Sequence, residues 1–386
     1  MKPAPLCLCC GSSAVRLVPG CDGLASVSSD CKPVAANGAL GSCKQCGLVQ
    51  KIIDPDYRKH IDRIYSNYDS YYQGGGLEQM VFDERAGAIR RSELLARHLD
   101  VTGLLPADGR CLDFGCGRGA FLRAIGSVRP RWKLSGLELD DRNLPALRSI
   151  PGFETLEIGE AAGISGGYAL LSMIHALEHL LDPLATLKIL REKIAADGYL
   201  FIQVPNLADN PFDLTIADHV SHFTPHTLTS LLSAAGFVVT TLSTDWVKKE
   251  ISAIAKPAPV RASVEGAPDE ATLAARHAAW LTDVLSLARE TVRQRPFGLF
   301  GTSIAAIWLS AGLGDNIDFY IDDDTARQHN GFLGKLVLAR SAVPDGSTVF
   351  IGLAPAIANP IAEQLRRAGV QAVTPPPIAS GRGDDA

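Results

Sequence analysis

The chain has 386 residues, of which 46% are hydrophobic and 20% are charged, and its net charge is −5 at pH 7. This length predicts two to three domains of roughly 150 residues each, and the negative charge disfavours a nucleic-acid-binding protein, which would present a basic surface to phosphates. No stretch approaches the roughly 18 uninterrupted apolar residues of a membrane span, and "MKPAPLCLCC" lacks the apolar core of a secretion signal. We therefore expect a soluble cytosolic enzyme with neither a membrane nor a nucleic-acid partner.

Cysteines are concentrated at the amino-terminal end, where seven of the nine fall within the first 46 residues. In the reducing cytosol they are more often metal ligands or free thiols than disulfides. Two C-x-x-C pairs supply four thiolates, which together suit a tetrahedral zinc ion without an open position. The four predicted ligands are Cys7, Cys10, Cys43 and Cys46. The alternatives are a cap of reduced thiols or a ligand set that uses one of the spare cysteines. The spare cysteines of this region are Cys9, Cys21 and Cys31.

A nucleotide-binding pattern follows a predicted amphipathic helix over residues 82–99, "FDERAGAIRRSELLARHL". The next segment, "GRCLDFGCGRGAFLRAI", predicts a short strand, a glycine-rich turn and a helix. Glycines in the turn let the backbone approach a ligand, and the helix that follows presents free N–H groups. The turn glycines are Gly115, Gly117 and Gly119. A second strand, "WKLSGLELD", ends at Glu138, the position where an acidic side chain receives ribose hydroxyls in nucleotide-binding α/β folds.

The glycine pattern alone also fits a nicotinamide-dependent enzyme, because "GCGRGA" satisfies G-x-G-x-x-A. Asp113, two positions before the first glycine, favours a cationic ligand over a pyrophosphate. The string "LDFGCGRGAFL" resembles motif I of the class I S-adenosylmethionine (SAM)-dependent methyltransferases, and "YALLSM", "DGYLFIQVPN" and "LTSLLSAAGF" extend this resemblance over about residues 108–240. The resemblance implies SAM as the methyl donor, with Glu138 on its ribose and Glu160 near its adenine.

The pentapeptide "HALEH", His175 to His179, also satisfies the H-x-x-E-H pattern of a metalloprotease family. On one helix the two histidines would share a face, as metal ligands do. The pentapeptide follows an apolar strand in a methyltransferase-like order of elements, so we favour a polar segment that lines the cofactor cleft.

The stretch "IADHVSHFTPH", residues 216–226, holds three of the nine histidines. Three interpretations stay open: contact with substrate, including a catalytic base; a structural polar turn; and a metal site. The metal site would use four residues: Asp218, His219, His222 and His226. We favour substrate contact and expect His226, next to Pro225 at a helix start, to be solvated or capping.

The last third begins with the linker-like "KPAPVRASVEGAPDE" and a helix, "ATLAARHAAWLTDVLSLARETVRQ". A second α/β unit follows, with Gly298 and Gly301 as predicted turn glycines and Asp322 at a strand end. This unit either binds a nucleotide or is purely architectural. The tail "PPPIASGRGDDA" is predicted to be disordered.

This order of parts resembles the three-domain SAM-dependent sugar C-methyltransferases, which methylate a ketosugar carried on a nucleoside diphosphate. The resemblance implies an α/β fold: a class I methyltransferase (Rossmann-like) core, an amino-terminal four-cysteine zinc-binding cap and a carboxyl-terminal Rossmann-like domain. The implied divisions are residues 1–75 for the cap, 76–255 for the methyltransferase domain, 256–296 for a linker and helix, 297–375 for the last domain and 376–386 for the tail.

The resemblance also implies the roles of several residues. The tyrosine-rich stretch "IYSNYDSYYQGGG" contributes to the substrate site, with Tyr68 and Tyr72 as the candidates. Our hypothesis makes His219 the base, has His179 or a tyrosine donate to the enolate, and has Asp218 orient the cluster. The chain departs from the family at Ile216, where a tyrosine is usual, at Asp218, where the acid is longer, and at His222, where an aromatic residue is usual.

Three alternatives to a nucleotide-sugar C-methyltransferase stay open. The same fold could methylate oxygen or nitrogen of another small metabolite, the chain could be a nicotinamide-dependent oxidoreductase, or it could be a scaffold without turnover.

Overall fold

The structure is a computed structural model that describes residues 5–21, 23–34, 38–68, 78, 80–83, 87–260, 268–328 and 331–379. Its amino-terminal part carries short strands and one helix, which begins after the capping carboxylate of Asp54. These elements are β1 Val15–Leu17, β2 Ser26–Val27, β3 Pro33–Val34, β4 Leu40–Cys43, β5 Val49–Lys51 and α1 Pro55–Ser66. Strands β1, β4 and β5 form an antiparallel sheet, and a strand from the central part of the chain adds a fourth member to it.

The central part is built on a seven-stranded sheet with helices on both faces. The seven strands of this sheet are β8 Arg110–Phe114, β9 Lys133–Glu138, β10 Phe153–Ile158, β11 Tyr168–Ile174, β12 Ile194–Pro205, β14 Phe237–Ser243 and β15 Glu250–Pro257. The central part also contains the paired strands β6 Met80–Asp83 and β7 Gly87–Arg90, and β13 Ser221–His222, which joins the cap sheet. Its helices are α2 Arg91–Val101, α3 Ala120–Val128, α4 Leu144–Leu147, α5 Pro183–Arg191 and α6 Pro225–Ala234.

The order of strands across this sheet is β10-β9-β8-β11-β12-β15-β14. The first five are parallel, and β15 and β14 are antiparallel to their neighbours. The chain moves from β8 outward to β10 and then returns to the other side of β8, so the order reverses between β8 and β11. In open α/β sheets the ligand crevice lies at the carboxyl ends of the strands at this reversal.

Apolar side chains bury both faces of the central sheet, as expected for parallel strands covered by helices. On one face, Leu95 and Leu122 from α2 and α3 join a buried cluster with Phe201. On the other face, Leu187 and Leu231 from α5 and α6 pack in a second cluster. The crevice-forming ends of the strands are therefore held by two independent cores.

The carboxyl-terminal part contains a long helix and a second sheet. Its elements are α7 Glu270–Thr291, β16 Phe297–Phe300, α8 Ile304–Leu313, β17 Phe319–Ile321, β18 Gly331–Phe332, β19 Lys335–Leu338, β20 Thr348–Phe350, α9 Pro355–Arg367 and β21 Gln371–Val373. The order is β18-β19-β17-β16-β20-β21, and every pair except β18–β19 is parallel. The predicted α/β alternation is present, and the Rossmann-like assignment of this sheet stays a prediction.

Three local predictions require correction. The helix expected over residues 82–99 begins only at Arg91, because Gly87–Arg90 pairs with Met80–Asp83 as a strand. Gly298 lies in β16 and not in the turn; a Cβ there would come 2.3 Å from Phe319 Cε2, so packing against the neighbouring strand requires the glycine. The start of the predicted tail packs on α7, where Trp280 Nε1 donates to the carbonyl of Pro376 at 2.8 Å.

No helix in the described ranges combines the length and the apolar character needed to cross a lipid bilayer.

Candidate active site

The glycine turn after β8 has the conformation that the sequence predicts. Gly115, Gly117 and Gly119 have φ values of 70°, 52° and 76°, in the region that L side chains rarely adopt. Gly119 is the N-cap of α3, and a Cβ there would lie 2.4 Å from Ile150 Cδ1 and 2.7 Å from Leu147 Cδ2. The turn therefore packs closely against Ile150 and Leu147. The N–H of Gly115 donates to the carbonyl of Leu137, and the N–H of Gly117 donates to the carboxylate of Glu138.

Asp113 lies in β8 beside this turn and is buried. It has a hydroxyl partner on the adjacent strand, because Ser172 Oγ donates to Asp113 Oδ1 at 2.7 Å. Burial raises the pKa of Asp113 to about 7; the Ser172 hydrogen bond opposes the rise, and the charges of Glu138 and Glu78 add to it. A cationic ligand at this position would favour the ionised carboxylate.

Glu138 ends β9 and reaches back to the glycine turn. Its carboxylate accepts the N–H of Gly117 at 2.5 Å and that of Leu139 at 3.3 Å, while burial raises its pKa. Glu160 follows β10 on the same side of the sheet, since Ile158 pairs with Glu138, and its side chain is exposed. The predicted donor-contacting acids thus lie at the ends of neighbouring strands.

The segment that carries His219 is fixed between the core and the amino-terminal cap. Strand β13 pairs with β5 of the cap sheet, with Ser221 opposite Gln50. The carbonyl of Val220 accepts the N–H of Lys51 at 2.8 Å, and the N–H of Val220 donates to the carbonyl of Glu178 at 2.7 Å. Backbone hydrogen bonds to the cap and to Glu178 therefore fix the segment that carries His219 and His222.

A residue that the sequence analysis did not single out, Asp213, holds two of these histidines. It lies in the 3-10 helix Pro211–Thr215, and its two carboxylate oxygens each lie 2.6 Å from an Nδ1 atom, one of His219 and one of His222. Burial alone would raise the pKa of Asp213, but the two imidazoles outweigh it and hold this pKa well below its usual range. Because a carboxylate only accepts hydrogen bonds, the Nδ1 atoms carry the protons.

Asp218, which we expected to orient the cluster, contacts His179. Its carboxylate accepts the N–H of Ser29 at 2.8 Å and the hydroxyl of Ser29 at 2.6 Å. Its backbone carbonyl lies 2.9 Å from His179 Nδ1, and its Oδ2 lies 3.4 Å from the same nitrogen. Asp218 therefore orients His179 and ties it to the cap, while Asp213 orients His219.

The two imidazoles lie side by side. The rings of His179 and His219 pack edge to face with centroids 4.7 Å apart, and Tyr65 approaches His179 at 6.4 Å. Burial alone would lower the pKa of His179, but the Asp218 carboxylate and the Glu178 charge outweigh it and raise this pKa. In both rings Nδ1 is occupied as a donor, so Nε2 is the atom left for a substrate.

His175 belongs to a buried network of charges at the end of β11. It has a positive φ of 50°, and its ring contacts Glu178 at 3.1 Å and Glu250 at 3.3 Å. Arg91 pairs with the other oxygen of Glu250 at 3.2 Å. Burial alone would lower the pKa of His175, but Glu250 and Glu178 raise it to about 9. The residues of "HALEH" form a 3-10 turn over Leu177–His179 and no α-helix, so the metalloprotease geometry is absent here.

The glycine turn after β8 and the histidine pair are neighbours. A Cβ on Gly115 would lie 3.2 Å from the Cβ of Ala176, which precedes the turn that carries His179. Tyr68 Oη lies 3.1 Å from Ser29 Oγ, and its carbonyl accepts a hydrogen bond from Arg142 at 2.6 Å. Tyr68 therefore stands between the histidine segment and the donor side of the sheet, while Tyr72 lies outside the described residues.

The two C-x-x-C pairs come together in the cap. The Sγ atoms of Cys7 and Cys46 are 3.4 Å apart, and those of Cys10 and Cys43 are 3.7 Å apart. All four lie within 4.8 Å of one another. A tetrahedral zinc with Zn–S bonds of about 2.3 Å needs sulfur atoms about 3.8 Å apart, so the observed spacing fits the ion. Among the described residues, neither a spare cysteine nor the set Asp218, His219, His222 and His226 converges in this way.

Residues 87–242, under half of the chain, match the family model described as a methyltransferase domain. No curated protein matches the sequence. Solved structures with some similarity include the mitomycin 7-O-methyltransferase MmcR, with 18% identity over 44% of this chain and 53% of that one and a TM-score of 0.39. The SAH-bound form of CalO1, a methyltransferase in calicheamicin biosynthesis, has 20% identity over 44% and 53% and a TM-score of 0.36. The CcbJ methyltransferase from Streptomyces caelestis has 14% identity over 46% and 100% and a TM-score of 0.37.

The chain thus spans about half the length of the first two proteins, and at these TM-scores and identities the three similarities carry no argument about substrate or mechanism. The family match and the strand order apply to the central part of the chain. Residues 87–242 are a SAM-dependent methyltransferase domain with an α/β class I methyltransferase-like fold.

Proposed function

We propose that the protein transfers a methyl group from SAM to a carbon atom of a nucleotide-linked ketosugar, with His219 as the base. The observation that carries this proposal is the pair of imidazoles beside the glycine turn, with Nδ1 of His219 held by the carboxylate of Asp213 and Nδ1 of His179 held by the backbone carbonyl of Asp218. A carboxylate behind an imidazole fixes its tautomer and stabilises the imidazolium that forms when the other nitrogen accepts a proton. The sugar and the nucleoside diphosphate come from the family resemblance.

The proposed reaction begins when Nε2 of His219 removes a proton from the carbon next to the ketone. Nε2 of His179, or the hydroxyl of Tyr68 or Tyr72, stabilises the enolate oxygen with a hydrogen bond. The enolate carbon forms a bond to the methyl carbon while the bond from sulfur to that carbon breaks, and the ketone is restored with S-adenosylhomocysteine as the second product. Positioned proton transfer contributes roughly 10²–10⁴-fold, and alignment behind the methyl group roughly 7–11 kcal/mol.

Other residues would act by position. His222 accompanies His219 on Asp213, and Asp218 links His179 to the cap through Ser29. For the donor, Asp113 and Glu138 would receive its ammonium group and its ribose hydroxyls, and Glu160 would lie near the adenine. Because Gly115, Gly117 and Gly119 have no side chains, the backbone of the turn could approach the donor closely.

The cap would bind one structural zinc ion through Cys7, Cys10, Cys43 and Cys46. Four thiolate ligands would leave no position for substrate, so the ion would stabilise the cap and not react. Strand β5 of the cap pairs with β13, which follows His219 in the chain. A stable cap would therefore help to hold His219 in position.

The base assignment is tested without methyl transfer, by following solvent deuterium into nucleoside diphosphate ketosugars in the presence of S-adenosylhomocysteine. The unaltered protein should exchange the proton next to the ketone, and His219→Ala should lose both exchange and turnover while keeping its donor affinity. His226→Ala, on a partly exposed histidine at the start of α6, is the matched control and should retain all three. Loss of donor affinity in His219→Ala would instead assign this residue to folding or to the donor pocket.

The atom that is methylated is read from the product made with ¹³C-methyl SAM. A new methyl signal coupled to a quaternary or methine carbon supports C-methylation, and an O-methyl or N-methyl signal overturns it. Titration with NAD and NADP tests the oxidoreductase alternative, because binding of either in place of SAM would contradict the proposal. Donor binding without transfer to any ketosugar would favour a scaffold.

A further inference from the structure

A second cluster of metal-ligating side chains lies in the core, apart from the four cysteines. Glu178, His179 and His219 each offer one ligand atom, and these atoms lie within 4.8 Å of one another. Glu178 and His179 lie in the turn after β11, and His219 lies in the segment fixed by the cap. The three side chains thus converge from two separate parts of the chain on one point.

Each member of this cluster is already held by a partner behind it. His179 Nδ1 donates to the Asp218 carbonyl at 2.9 Å, and His219 Nδ1 donates to the Asp213 carboxylate at 2.6 Å. Glu178 Oε1 accepts from His175 Nδ1 at 3.1 Å. Histidines that bind metals almost always donate their second ring N–H to a carboxylate or a backbone carbonyl, which directs the free nitrogen at the ion. The two imidazoles have this arrangement.

The carboxylate supplies an independent observation. Glu178 is fully buried, and its second oxygen, Oε2, has no hydrogen-bond partner among the described residues. A buried polar atom without a partner is rare in proteins and calls for a ligand, a water or an ion. The Oε1 atom of the same group accepts from His175, so Oε2 is the oxygen available to bind an ion.

We propose that Glu178, His179 and His219 bind a divalent transition metal, such as Zn²⁺, and that this ion competes with the proton for His219. Two imidazoles and one carboxylate suit zinc, cobalt or nickel better than magnesium or calcium, which prefer oxygen ligands. Three protein ligands leave a fourth position open. A tetrahedral ion with bonds of about 2.1 Å needs ligand atoms about 3.4 Å apart, so small side-chain rotations bring these atoms into range.

The competition rests on the proposed function. Nε2 of His219 has one lone pair, which either accepts the substrate proton or binds the metal. An ion at this point also occupies Nε2 of His179 and removes the donor to the enolate oxygen. Free zinc therefore inhibits the enzyme at the same imidazoles that perform the reaction, while the cysteine cluster keeps its own ion.

The site is tested by counting ions. The full chain is treated with a mild chelator, dialysed against Zn²⁺, and its bound zinc is measured by mass spectrometry. Glu178→Gln should bind one ion fewer per chain than the unaltered protein. Glu270→Gln is the matched control, because this buried acid accepts a hydrogen bond from Thr224 outside the cluster. With Co²⁺ as the probe, the additional ion bound by the unaltered protein should show ligand-field absorption without the charge-transfer band of a thiolate. This absorption should be absent in Glu178→Gln.

Equal zinc counts in the unaltered protein and in Glu178→Gln overturn the site. If Glu178→Gln unfolds, His179→Gln replaces it in the same measurement, with circular dichroism as the check on folding. The competition is tested separately by adding Zn²⁺ to the methyl-transfer assay: inhibition that is weaker in Glu178→Gln supports it, and activation by zinc overturns it. The zinc count does not depend on turnover, so failure of the proposed function leaves the test of the site intact.

Discussion

Two parts of the molecule repeat one local pattern of strand, glycine turn, helix and a second strand with an acid at its end. In the central part, Asp113 and Glu138 flank the turn that begins at Gly115. In the carboxyl-terminal part, Gly301 has a φ of 95° and Asp322 follows β17. The acid at the end of the second strand makes different contacts in the two parts.

The difference lies in what each acid contacts. Glu138 accepts hydrogen bonds from the backbone N–H groups of Gly117 and Leu139, at the turn where a donor would bind. Asp322 accepts the Thr302 hydroxyl at 2.5 Å and the Asp324 N–H at 2.9 Å, and it pairs with Arg327 at 3.6 Å. The carboxyl-terminal acid thus pairs with a cation of the chain, whereas Asp113 accepts a hydroxyl and Glu138 accepts backbone N–H groups. An acid at the end of the strand after a glycine turn can therefore contact the turn itself, as Glu138 does, or a cation of the chain, as Asp322 does.

The largest contrast should come from adding a methyl group to each turn. In Gly119→Ala the new Cβ is strained at positive φ, by about 1–2 kcal/mol, and overlaps Ile150 and Leu147, which adds about 1–3 kcal/mol. We expect a loss of about 2–5 kcal/mol in the free energy of unfolding and a severe loss of donor binding. Gly301→Ala meets no atom within 4 Å and should cost only the strain. Urea denaturation and calorimetry with SAM measure both; equal losses would remove the contrast.

Removing one charge from each acid should give the next largest effect. Asp113→Asn loses the ionised partner of a cationic donor, and a hydrogen bond to a charged group is worth about 1.5–3 kcal/mol. Donor affinity should fall roughly 10- to 100-fold. Asp322→Asn should leave donor affinity unchanged and reduce stability, because Arg327 loses a partner. Isothermal titration of both variants with SAM makes the comparison, and an equal fall in affinity would show that the carboxyl-terminal acid also serves the donor.

The conformation of the glycine turn after β8 could be predicted from the sequence because the residues that determine it are local. Asp113 and the three glycines lie within seven positions, and each glycine is required by its own backbone angle. The same holds for the C-x-x-C pairs, since a knuckle is a local turn. The prediction for Gly298 was wrong because this glycine is required by a distant contact, the ring of Phe319 on the neighbouring strand. In the sequence it cannot be distinguished from a glycine required by a turn.

The histidine site could be predicted only in part because its partners are distant in sequence. The residues His179 and His219 were proposed, but the carboxylate behind His219 is Asp213, within "PFDLT", which has no motif. Asp218 lies next to His219 in sequence and yet orients His179. The segment that carries both residues pairs with β5 of the cap, and no local sequence pattern contains that long-range pairing.

The affinity for the donor should depend on pH through the ionisation of Asp113. With its pKa raised to about 7 by burial, Asp113 is mostly protonated at pH 6 and mostly ionised at pH 8. Because only the ionised form attracts the cationic donor, affinity should rise about tenfold over this range. Glu138 and Glu78 contribute to the raised pKa through their charges, so removal of either should move the rise to lower pH. Calorimetry at several pH values should show the rise in the unaltered protein and its absence in Asp113→Asn.

The smallest contrast comes from the hydroxyl that donates to each acid. Ser172→Ala removes the hydrogen bond that lowers the pKa of Asp113, so the pH at which donor affinity rises should move upward while affinity at high pH changes little. Thr302→Val removes the donor to Asp322 and should cost about 1 kcal/mol of stability without any effect on donor binding at any pH. Donor titrations of both variants at pH 6, 7 and 8, with urea denaturation beside them, separate a shift in titration from a loss of stability. A pH shift in Thr302→Val, or none in Ser172→Ala, would mean that the ionisation of Asp113 does not control donor binding.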